Sequence, residues 1–273
     1  MENKVGVVKA DPSRHYPWVF LGFFVGVCLL LFLATGCFGL FAWGLGSLQE
    51  RDAANGTATQ EAMSALATAT QEAILGDRAN FGFIETFYDN SNDWFVSNFD
   101  DQYSRGEIKV ADGLYTWDIA EVKQGFTSYG SINTTPLYLT DFDVYVDAIR
   151  NSGDPNGYCS GIGFRSQQVS TSYSYYTFLV CDAGLYSIHF HDGSKNEWLT
   201  LMSRETSKAI KTATWNTLGV QARGSHMKFL INGSIVPELD DTRLSAGAIL
   251  LLVDVSSNQP GSLSFDNFAA QGR

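Results

Sequence analysis

The hydrophobic and polar positions of the chain follow three patterns in turn. From residue 16 to residue 46 the chain is apolar, with no charged side chain, and from residue 47 to residue 80 Ala, Thr, Gln and Glu prevail. After that, short runs of alternating apolar and polar residues are separated by Gly, Asn, Asp and Ser. These patterns predict four segments: a cytoplasmic tail (1–15), a transmembrane helix (16–46), a stalk (47–80) and an all-β domain (81–273).

The apolar segment is long enough to cross a bilayer once. About 20 residues at a rise of 1.5 Å each cover the roughly 30 Å of hydrocarbon. Trp18 and Trp43 lie near its ends, where indole rings settle at the interface. Because Lys4, Lys9 and Arg14 precede it, the positive-inside rule puts the N-terminus in the cytoplasm and the β domain outside the cell membrane.

Two alternatives to a simple anchor remain open for this segment. A cleaved signal peptide has an apolar region about half as long and a cleavage site of small residues. Cys37 follows a stretch that resembles a loose bacterial lipobox, so its lipidation is the other alternative. In the favoured helix, Gly22 and Gly26 have a small-xxx-small spacing that lets a partner helix approach closely. The alternative is that these are glycines that a membrane helix merely tolerates.

The stalk contains a short repeat. The hexapeptide TATQEA occurs at 57–62 and again at 68–73, an offset of eleven residues. Eleven residues make close to three helical turns, so the repeat keeps one face aligned. We expect a helical or semi-flexible stalk that lifts the domain off the membrane, with a solvated single helix or plain disorder as the alternatives.

Strict alternation defines the strands of the β domain. In Asp141–Asp147 the apolar Phe142, Val144 and Val146 face one side while the polar positions face the other. Short strands at this spacing are typical of a β-sandwich or barrel. Asn232-Gly233 is a strong hairpin-turn dipeptide.

A hairpin is predicted from residue 158 to residue 181, with its turn centred near Ser170. Pairing the two strands symmetrically about that turn sets Ile162 opposite Phe178 and Arg165 opposite Tyr175. The same register sets Cys159 opposite Cys181, which predicts a cross-strand disulfide. Such a bond fits the oxidising side of a membrane. Two reduced cysteines on adjacent strands are the alternative.

Composition and charge exclude one class of partner. The net charge is −11 and the calculated pI is about 4.7. Binding to a phosphate backbone needs clustered Lys and Arg, which this chain lacks. Nucleic acid is therefore not expected as a partner.

The order of motifs carries a resemblance to a known family. The segments GIGFR, YSYYTFLV, EWLTL, TWNTLGVQARGSHMKFLINGSIV and SFDNF succeed one another along the domain. This progression resembles the concanavalin A-like lectin/glucanase superfamily, nearest to the 3-keto-disaccharide hydrolase-like (laminarinase-related) domains of bacterial surfaces. The resemblance implies a jelly-roll sandwich of two antiparallel sheets, with carbohydrate on the concave sheet in many members. It also implies a structural Ca²⁺ in some members, held here in part by Asp266.

Several polar and aromatic residues are candidates for a ligand site on an outer sheet face. Strand parity places them on one face if their strands are neighbours, and rings, carboxylates and a guanidinium suit sugar recognition. The alternative is the wet face of an antiparallel sheet. The candidates are Asp143, Tyr145, Asp147, Arg165, Tyr175, His189 and His191.

The catalytic pattern of the related glucanases is absent from the sequence. Those enzymes use two Glu on one strand, because two carboxylates about 5 Å apart must act as nucleophile and acid/base. The corresponding strand here, Asp141–Asp147, contains no Glu. His189 and His191 share a strand face, but two His without a third ligand are weak evidence for a metal. We therefore expect no enzyme activity and no cofactor beyond the Ca²⁺ that the resemblance implies.

The sequence thus predicts a membrane-anchored, lectin-like module that binds a glycan or surface matrix. A second hypothesis is a structural or accessory subunit of a membrane protein complex, which the glycine-rich span and the repeat-bearing stalk favour. A third, a glycoside-processing hydrolase, rests on the family resemblance alone.

Overall fold

The computed structural model describes residues 8–9, 78, 80–130, 132 and 136–273. These residues comprise the β domain, Arg78 just before it and a dipeptide near the N-terminus. The predicted span, most of the stalk, Gly22, Gly26 and Cys37 lie outside them. Within the described part of the chain, no helix has the length and apolarity needed to cross a membrane.

The domain is a sandwich of two antiparallel sheets, and its strands are numbered in chain order. Sheet A has eight strands among the described residues. Seven form a path from edge to edge, and the eighth, β7 (Tyr138–Leu139), also pairs with β16. The path runs through β1 (Val8–Lys9), β6 (Phe126–Gly130), β16 (Gly247–Val255), β9 (Tyr158–Val169), β10 (Ser172–Cys181), β11 (Leu185–Asp192) and β12 (Glu197–Thr206).

Sheet B has nine strands in the same described ranges. Eight form its path, and β2 (Phe83–Glu85) adds to β17. The path runs through β15 (Ser234–Asp240), β14 (His226–Ile231), β13 (Asn216–Arg223), β8 (Phe142–Ser152), β17 (Gly261–Gly272), β5 (Leu114–Val122), β4 (Ser104–Ala111) and β3 (Ser97–Asp100).

The core lies between the two sheets. Alternate residues of each strand point inward, and burying one such Val, Ile or Phe side chain contributes roughly 1.5–3 kcal/mol. Large aromatic residues fill much of the space. Fully buried core residues include Ile162, Phe164, Phe178 and Ile188 of sheet A, and Val144, Val146, Phe229 and Phe265 of sheet B. The predicted all-β class and two-sheet sandwich are confirmed.

The structure confirms the main strand and turn predictions. In β8, Phe142, Val144 and Val146 are fully buried, as the alternation predicts. In the β9–β10 hairpin, Ile162 pairs with Phe178 as predicted. The Asn232-Gly233 turn joins β14 to β15, and both residues have positive φ, as this hairpin turn requires.

The sequence analysis did not identify β2 to β7. Their alternation is irregular, because β4 and β5 lie toward an edge of sheet B and carry partly exposed residues on both faces. One signal was present: Asp112-Gly113 forms the β4–β5 turn with φ of 56° and 75°.

The short strand β1 bears on the predicted membrane topology. Val8 pairs with Thr127 and Lys9 with Phe126 at the edge of sheet A. A single membrane crossing after residue 15 would place Val8–Lys9 on the opposite side of the bilayer from that edge. The two arrangements exclude each other within one chain, so an experiment on topology must decide between them.

The predicted disulfide is present. Cys159 of β9 and Cys181 of β10 are directly opposed, with an S–S distance of 1.98 Å and a Cα–Cα distance of 4.1 Å. Both residues are buried on the outer side of sheet A, next to Leu179 and Leu252. The bond therefore ties the central hairpin of that sheet.

Removing this bond should destabilise the domain. The two cysteines are 22 residues apart, and closing a loop of that size stabilises the folded state by about 3 kcal/mol. We expect Cys159→Ala with Cys181→Ala to lower the Tm by roughly 6–12 °C in thermal unfolding followed by circular dichroism. Cys28→Ala is the control and should leave the Tm unchanged. Free thiols at both positions in non-reducing mass spectrometry would contradict the bond.

Candidate functional site

The outer side of sheet A carries a cluster of aromatic rings, which we call the outer A face. Tyr175 of β10 is at its centre, with its ring centroid 5.3 Å from that of His191 and 5.8 Å from that of Trp198. Tyr129 of β6 lies 6.2 Å from Tyr175 and also 6.2 Å from Tyr173. The floor of the face consists of Leu179, Leu250, Leu252 and the disulfide.

Two tyrosine rings of this face meet across the sheet. Tyr129 and Tyr175 belong to strands separated by two others, which sets their backbones about 14 Å apart. Their rings are only 6.2 Å apart, so the two side chains lean toward each other. Gly161 and Gly163 occupy the outward positions of β9 between them, and the Leu179, Leu250 and Leu252 side chains fill the space above these glycines. The rings and the leucines therefore form one packed surface.

Three polar groups on the outer A face are buried without a partner among the described residues. They are the Tyr175 hydroxyl, the Thr177 hydroxyl and Nε2 of His191. A buried hydroxyl or imidazole nitrogen without a hydrogen bond costs about 1–3 kcal/mol. A group that returns such bonds would bind with a corresponding gain in free energy, so these atoms mark the candidate ligand site.

The hydrogen bond made by Nδ1 of His191 determines whether Nε2 can donate or accept a hydrogen bond. Nδ1 lies 2.6 Å from the backbone oxygen of Tyr173, and a carbonyl oxygen only accepts. Nδ1 therefore carries the hydrogen, which leaves Nε2 of the neutral ring as an acceptor. The site thus offers one acceptor nitrogen beside two hydroxyl groups, the set that sugar hydroxyls can satisfy.

The electrostatic environment of the outer A face disfavours negative charge. Burial raises the pKa of the Tyr175 phenol, and Tyr129 and Asp254 raise it further. Asp254 accepts a hydrogen bond of 2.7 Å from Thr127 on the neighbouring strand. Arg204 lies at the same end of the face as Asp254, because it is 3.8 Å from Sγ of Cys159, the cross-strand partner of Asp254. The groups around Tyr175 therefore suit an uncharged ligand.

The structure places Asp143, Tyr145 and Asp147 on the outer side of sheet B. Strand β8, which carries them, is not a neighbour of β9, β10 or β11. Asp143 is paired with Arg223 at 2.7 Å and Arg273 at 2.8 Å. The three residues thus do not share a face with Tyr175, His189 and His191.

Arg78 covers the other end of this acidic strand. Its guanidinium donates to Asp147 Oδ1 at 3.2 Å and lies 5.5 Å from the centre of the Tyr145 ring. Thr217 and Asn267 also donate to Asp147. The expected wet face is therefore largely covered, because residues before and after the predicted strands fold over it.

Arg165 points to neither outer face. It is fully buried, and its guanidinium donates to the backbone oxygens of Leu244, Thr140 and Gly224. The register shifts at this point, so Tyr175 lies opposite both Arg165 and Ser166. Arg165 therefore lies opposite Tyr175 as predicted, but the two side chains do not share the outer face, because a bulge turns the arginine inward.

Asp266 lies directly opposite Asp147 on the neighbouring strand. Burial raises its pKa, and the charges of Asp147 and Glu85 add to this effect, while a hydrogen bond from the Asn267 amide lowers it. Both oxygens of Glu85 already accept protein donors. The Ca²⁺ that the resemblance implies at Asp266 stays a prediction.

Metal ligands are not assembled in the described part of the chain. No group of three or more His, Cys, Asp or Glu is placed there so as to hold an ion. His189 and His191 lie on one face of β11 as predicted, with Trp198 beside both.

Sequence reasoning missed four residues of the outer A face: Tyr129, Tyr173, Thr177 and Trp198. Thr177 and Trp198 could have been found by strand parity, since Thr177 is two residues from Tyr175 and Trp198 pairs with His191. Tyr129 lies in β6, which was not identified. No local signal shows that it approaches Tyr175 across two strands.

The geometry defines the protein first by class. It is an antiparallel two-sheet sandwich, a fold that a laminarinase and a protein with a galectin-like fold share. The profile of the 3-keto-α-glucoside-1,2-lyase-like domain matches residues 82–268. Because this match covers more than half of the chain, the protein belongs to that family. No curated protein matches the sequence.

Solved structures share the fold at low sequence identity. A laminarinase from Flavobacterium sp. UMI-01 has a TM-score of 0.51 at 10% identity, over 70% of this chain and 99% of that one. A Bacillus subtilis protein of unknown function with a galectin-like fold scores 0.51 at 11%, over 70% and 95%. A GlcNAcα1-4Gal-releasing endo-β-galactosidase from Clostridium perfringens scores 0.50 at 10%, over 70% and 62%.

The like-charge pair of Asp147 and Asp266 yields a pH-dependent prediction. Because the pKa of folded Asp266 is raised, the folded state takes up a proton more readily than the unfolded chain. The charged carboxylate therefore costs stability at pH 7, and the cost disappears as pH falls through the folded pKa. In EDTA we expect the Tm of Asp266→Asn to equal or exceed that of the parent at pH 7, with the difference shrinking toward pH 4.

The control variant and a test with added Ca²⁺ use the same measurement of Tm. Asp112→Asn removes an exposed charge in a turn that tolerates Asn, and it should leave the Tm unchanged at both pH values. A clearly lower Tm for Asp266→Asn in EDTA would contradict the repulsion. A rise in the parent's Tm with Ca²⁺ that the variant loses would show the ion that the family resemblance implies.

Proposed function

We propose that the domain binds a neutral glycan on the outer A face. The observation that carries the proposal is the group of three buried polar atoms on Tyr175, Thr177 and His191, which have no partner among the described residues and lie within the aromatic cluster. Sugar rings present apolar C–H faces and hydroxyl edges, so they match rings and polar groups set side by side. The family match and the shared fold support a carbohydrate ligand.

Each residue of the site has its own role in this proposal. The C–H faces of a sugar ring pack on the Tyr129 and Tyr175 rings, and binding must open this face, because Tyr175, Thr177 and His191 are at most 1% exposed. A sugar hydroxyl donates to Nε2 of His191, and the Thr177 and Tyr175 hydroxyls bind neighbouring oxygens. Because Tyr175, Thr177 and His191 are buried, sulfated, sialylated or uronic-acid sugars would lose more hydration on binding than neutral ones.

Catalysis at the same face is the second candidate. The family name denotes a 1,2-lyase acting on a 3-keto sugar, in which the ketone acidifies the hydrogen on C2. Loss of that proton to a base, with departure of the C1 substituent, completes the elimination. His191 Nε2 is an unprotonated nitrogen held by a hydrogen bond on Nδ1, as a general base requires. Binding without catalysis remains our first proposal, because the Glu pair of the related glucanases is absent from Asp141–Asp147.

We also propose that residues 16–46 anchor the protein in the cell membrane with the β domain outside. The apolar length and the Lys/Arg bias support this arrangement. A role as an accessory subunit of a membrane complex is the alternative, favoured by the Gly22 and Gly26 spacing. That role would give stoichiometric copurification of a partner from native membranes.

Loss of the central rings should abolish glycan binding. On a glycan array, we expect the detergent-solubilised full chain to bind neutral glycans, and Tyr175→Ala and His191→Ala to bind at least tenfold more weakly. Truncating an aromatic binding residue costs about 2 kcal/mol or more, which exceeds a tenfold change. Tyr88→Ala is the matched control, because that tyrosine is 85% exposed and lies between β2 and β3, on sheet B.

The parent and these variants also show which outcomes would contradict the proposal. Unchanged binding of both variants would contradict the site, and an array without any bound glycan would contradict the proposal. Release of the C1 substituent from a 3-keto glucoside by the parent but not by His191→Gln would establish the lyase candidate.

Labelling with a membrane-impermeant maleimide tests the topology. In intact cells carrying the Cys28→Ala, Cys37→Ala background, we expect Ser91→Cys to be labelled and Ser13→Cys to be labelled only after permeabilisation. Ser91 lies in an exposed loop of the domain. Labelling of Ser13→Cys in intact cells would contradict the cytoplasmic tail and favour the β1 pairing instead.

A further inference from the structure

Arg165 has a backbone conformation that is unusual for its residue type. Its φ is 52°, in the left-handed region. A residue with a side chain loses about 1–2 kcal/mol there, so the surroundings must hold it in place. At Arg165, strand β9 has one residue more than β10 and one more than β16, because its pairing register shifts here with both strands. A bulge shared with both neighbouring strands fixes the local course of the whole sheet.

The side chain of Arg165 is fastened to three separate loops. Nη1 donates to the Leu244 oxygen at 2.9 Å, and Nη2 donates to the oxygens of Gly224 at 2.6 Å and Thr140 at 3.2 Å. These acceptors lie before β16, in the β13–β14 turn and before β8. None of its hydrogen bonds goes to a carboxylate. The buried guanidinium therefore acts as a hub for backbone carbonyls at one end of the sandwich.

A close backbone approach locks the same position from the other side. Gly247, the first residue of β16, lies so close that a Cβ on it would be 2.2 Å from the carbonyl carbon of Arg165. Only glycine fits at this position without moving the bulge. The bulge is thus held both by its own side chain and by the neighbouring strand.

The residue opposite the bulge is Tyr175, whose ring forms the centre of the outer A face. Bulges next to functional sites re-aim side chains. Two residues earlier, the Tyr173 oxygen accepts the hydrogen bond that sets the His191 tautomer. The direction of Tyr175 and the hydrogen bond of His191 therefore both depend on the course of β10 beside Arg165.

We infer that Arg165 is a positioning residue for the outer A face: from inside the sandwich it holds the bulge that directs Tyr175 and His191 toward the ligand. The inference rests on the proposed glycan site. Arg165 does not touch the ligand in this arrangement, because its guanidinium is fully buried on the opposite side of the sheet.

The test compares Arg165→Gly with a matched arginine variant in the full chain. Glycine accepts the positive φ but loses the three hydrogen bonds. Arg150→Ala removes another largely buried arginine, which pairs with Asp182 and Gly153 away from the bulge. We expect Arg165→Gly to bind the array-selected glycan at least tenfold more weakly and to shift the ¹⁵N resonances of His191, while Arg150→Ala keeps both, even where the two variants lose similar stability.

Each outcome separates this inference from the proposed function. Equal glycan affinity and unchanged His191 resonances in Arg165→Gly would overturn the positioning role, as would equal losses in Arg150→Ala. If the parent binds no glycan, the proposed function fails, and the His191 resonances alone decide the positioning role. If Arg165→Gly does not fold, Gly247→Ala displaces the same bulge by steric contact and takes its place: shifted His191 resonances support the role, and unchanged ones overturn it.

Discussion

Burial of one face of each sheet against the other is the constraint on which the rest of the structure depends. The inner positions of β8, β9, β10 and β13 are buried, and outside the bulge at Arg165 their alternation assigns the intervening residues to an outer face. The two outer faces then differ in character. On sheet B, carboxylates are neutralised by arginines, whereas on sheet A rings and hydroxyls lie beside buried leucines. The difference makes sheet A the side suited to an uncharged ligand.

The alternation also explains how much of the fold could be predicted from the sequence. It fixed the inner face of β8, and the position of one turn was sufficient to pair Cys159 with Cys181. Parity states which residues share a side of their own strand, but not which strands are neighbours. Asp143 and Tyr175 therefore satisfied the same sequence rule and belong to different sheets. The irregular, partly exposed strands β2 to β7 offered too little alternation to be identified.

The candidate site was harder to predict than the fold for two physical reasons. Tyr129 reaches Tyr175 only because their side chains lean together across β16 and β9, and that contact depends on the order of strands in the sheet. Arg165 departs from the alternation because one extra residue in β9 reverses its direction, and the cost of its positive φ is offset by bonds to distant loops. Neither effect leaves a short sequence pattern. The outward rings of β10 and β11 could be predicted, since regular pairing determines them.

The two ion-paired ends of β8 have a consequence for the architecture of any longer polypeptide that contains this domain. Arg78, near its beginning, binds Asp147, and Arg273, at its end, binds Asp143, four residues away on the same strand. Arg78 and Arg273 therefore contact the same strand, on the sheet remote from the tyrosine cluster. Domains with neighbouring ends tolerate insertion into loops and circular permutation. A fluorescent protein fused after Arg273 would leave the aromatic face unobstructed.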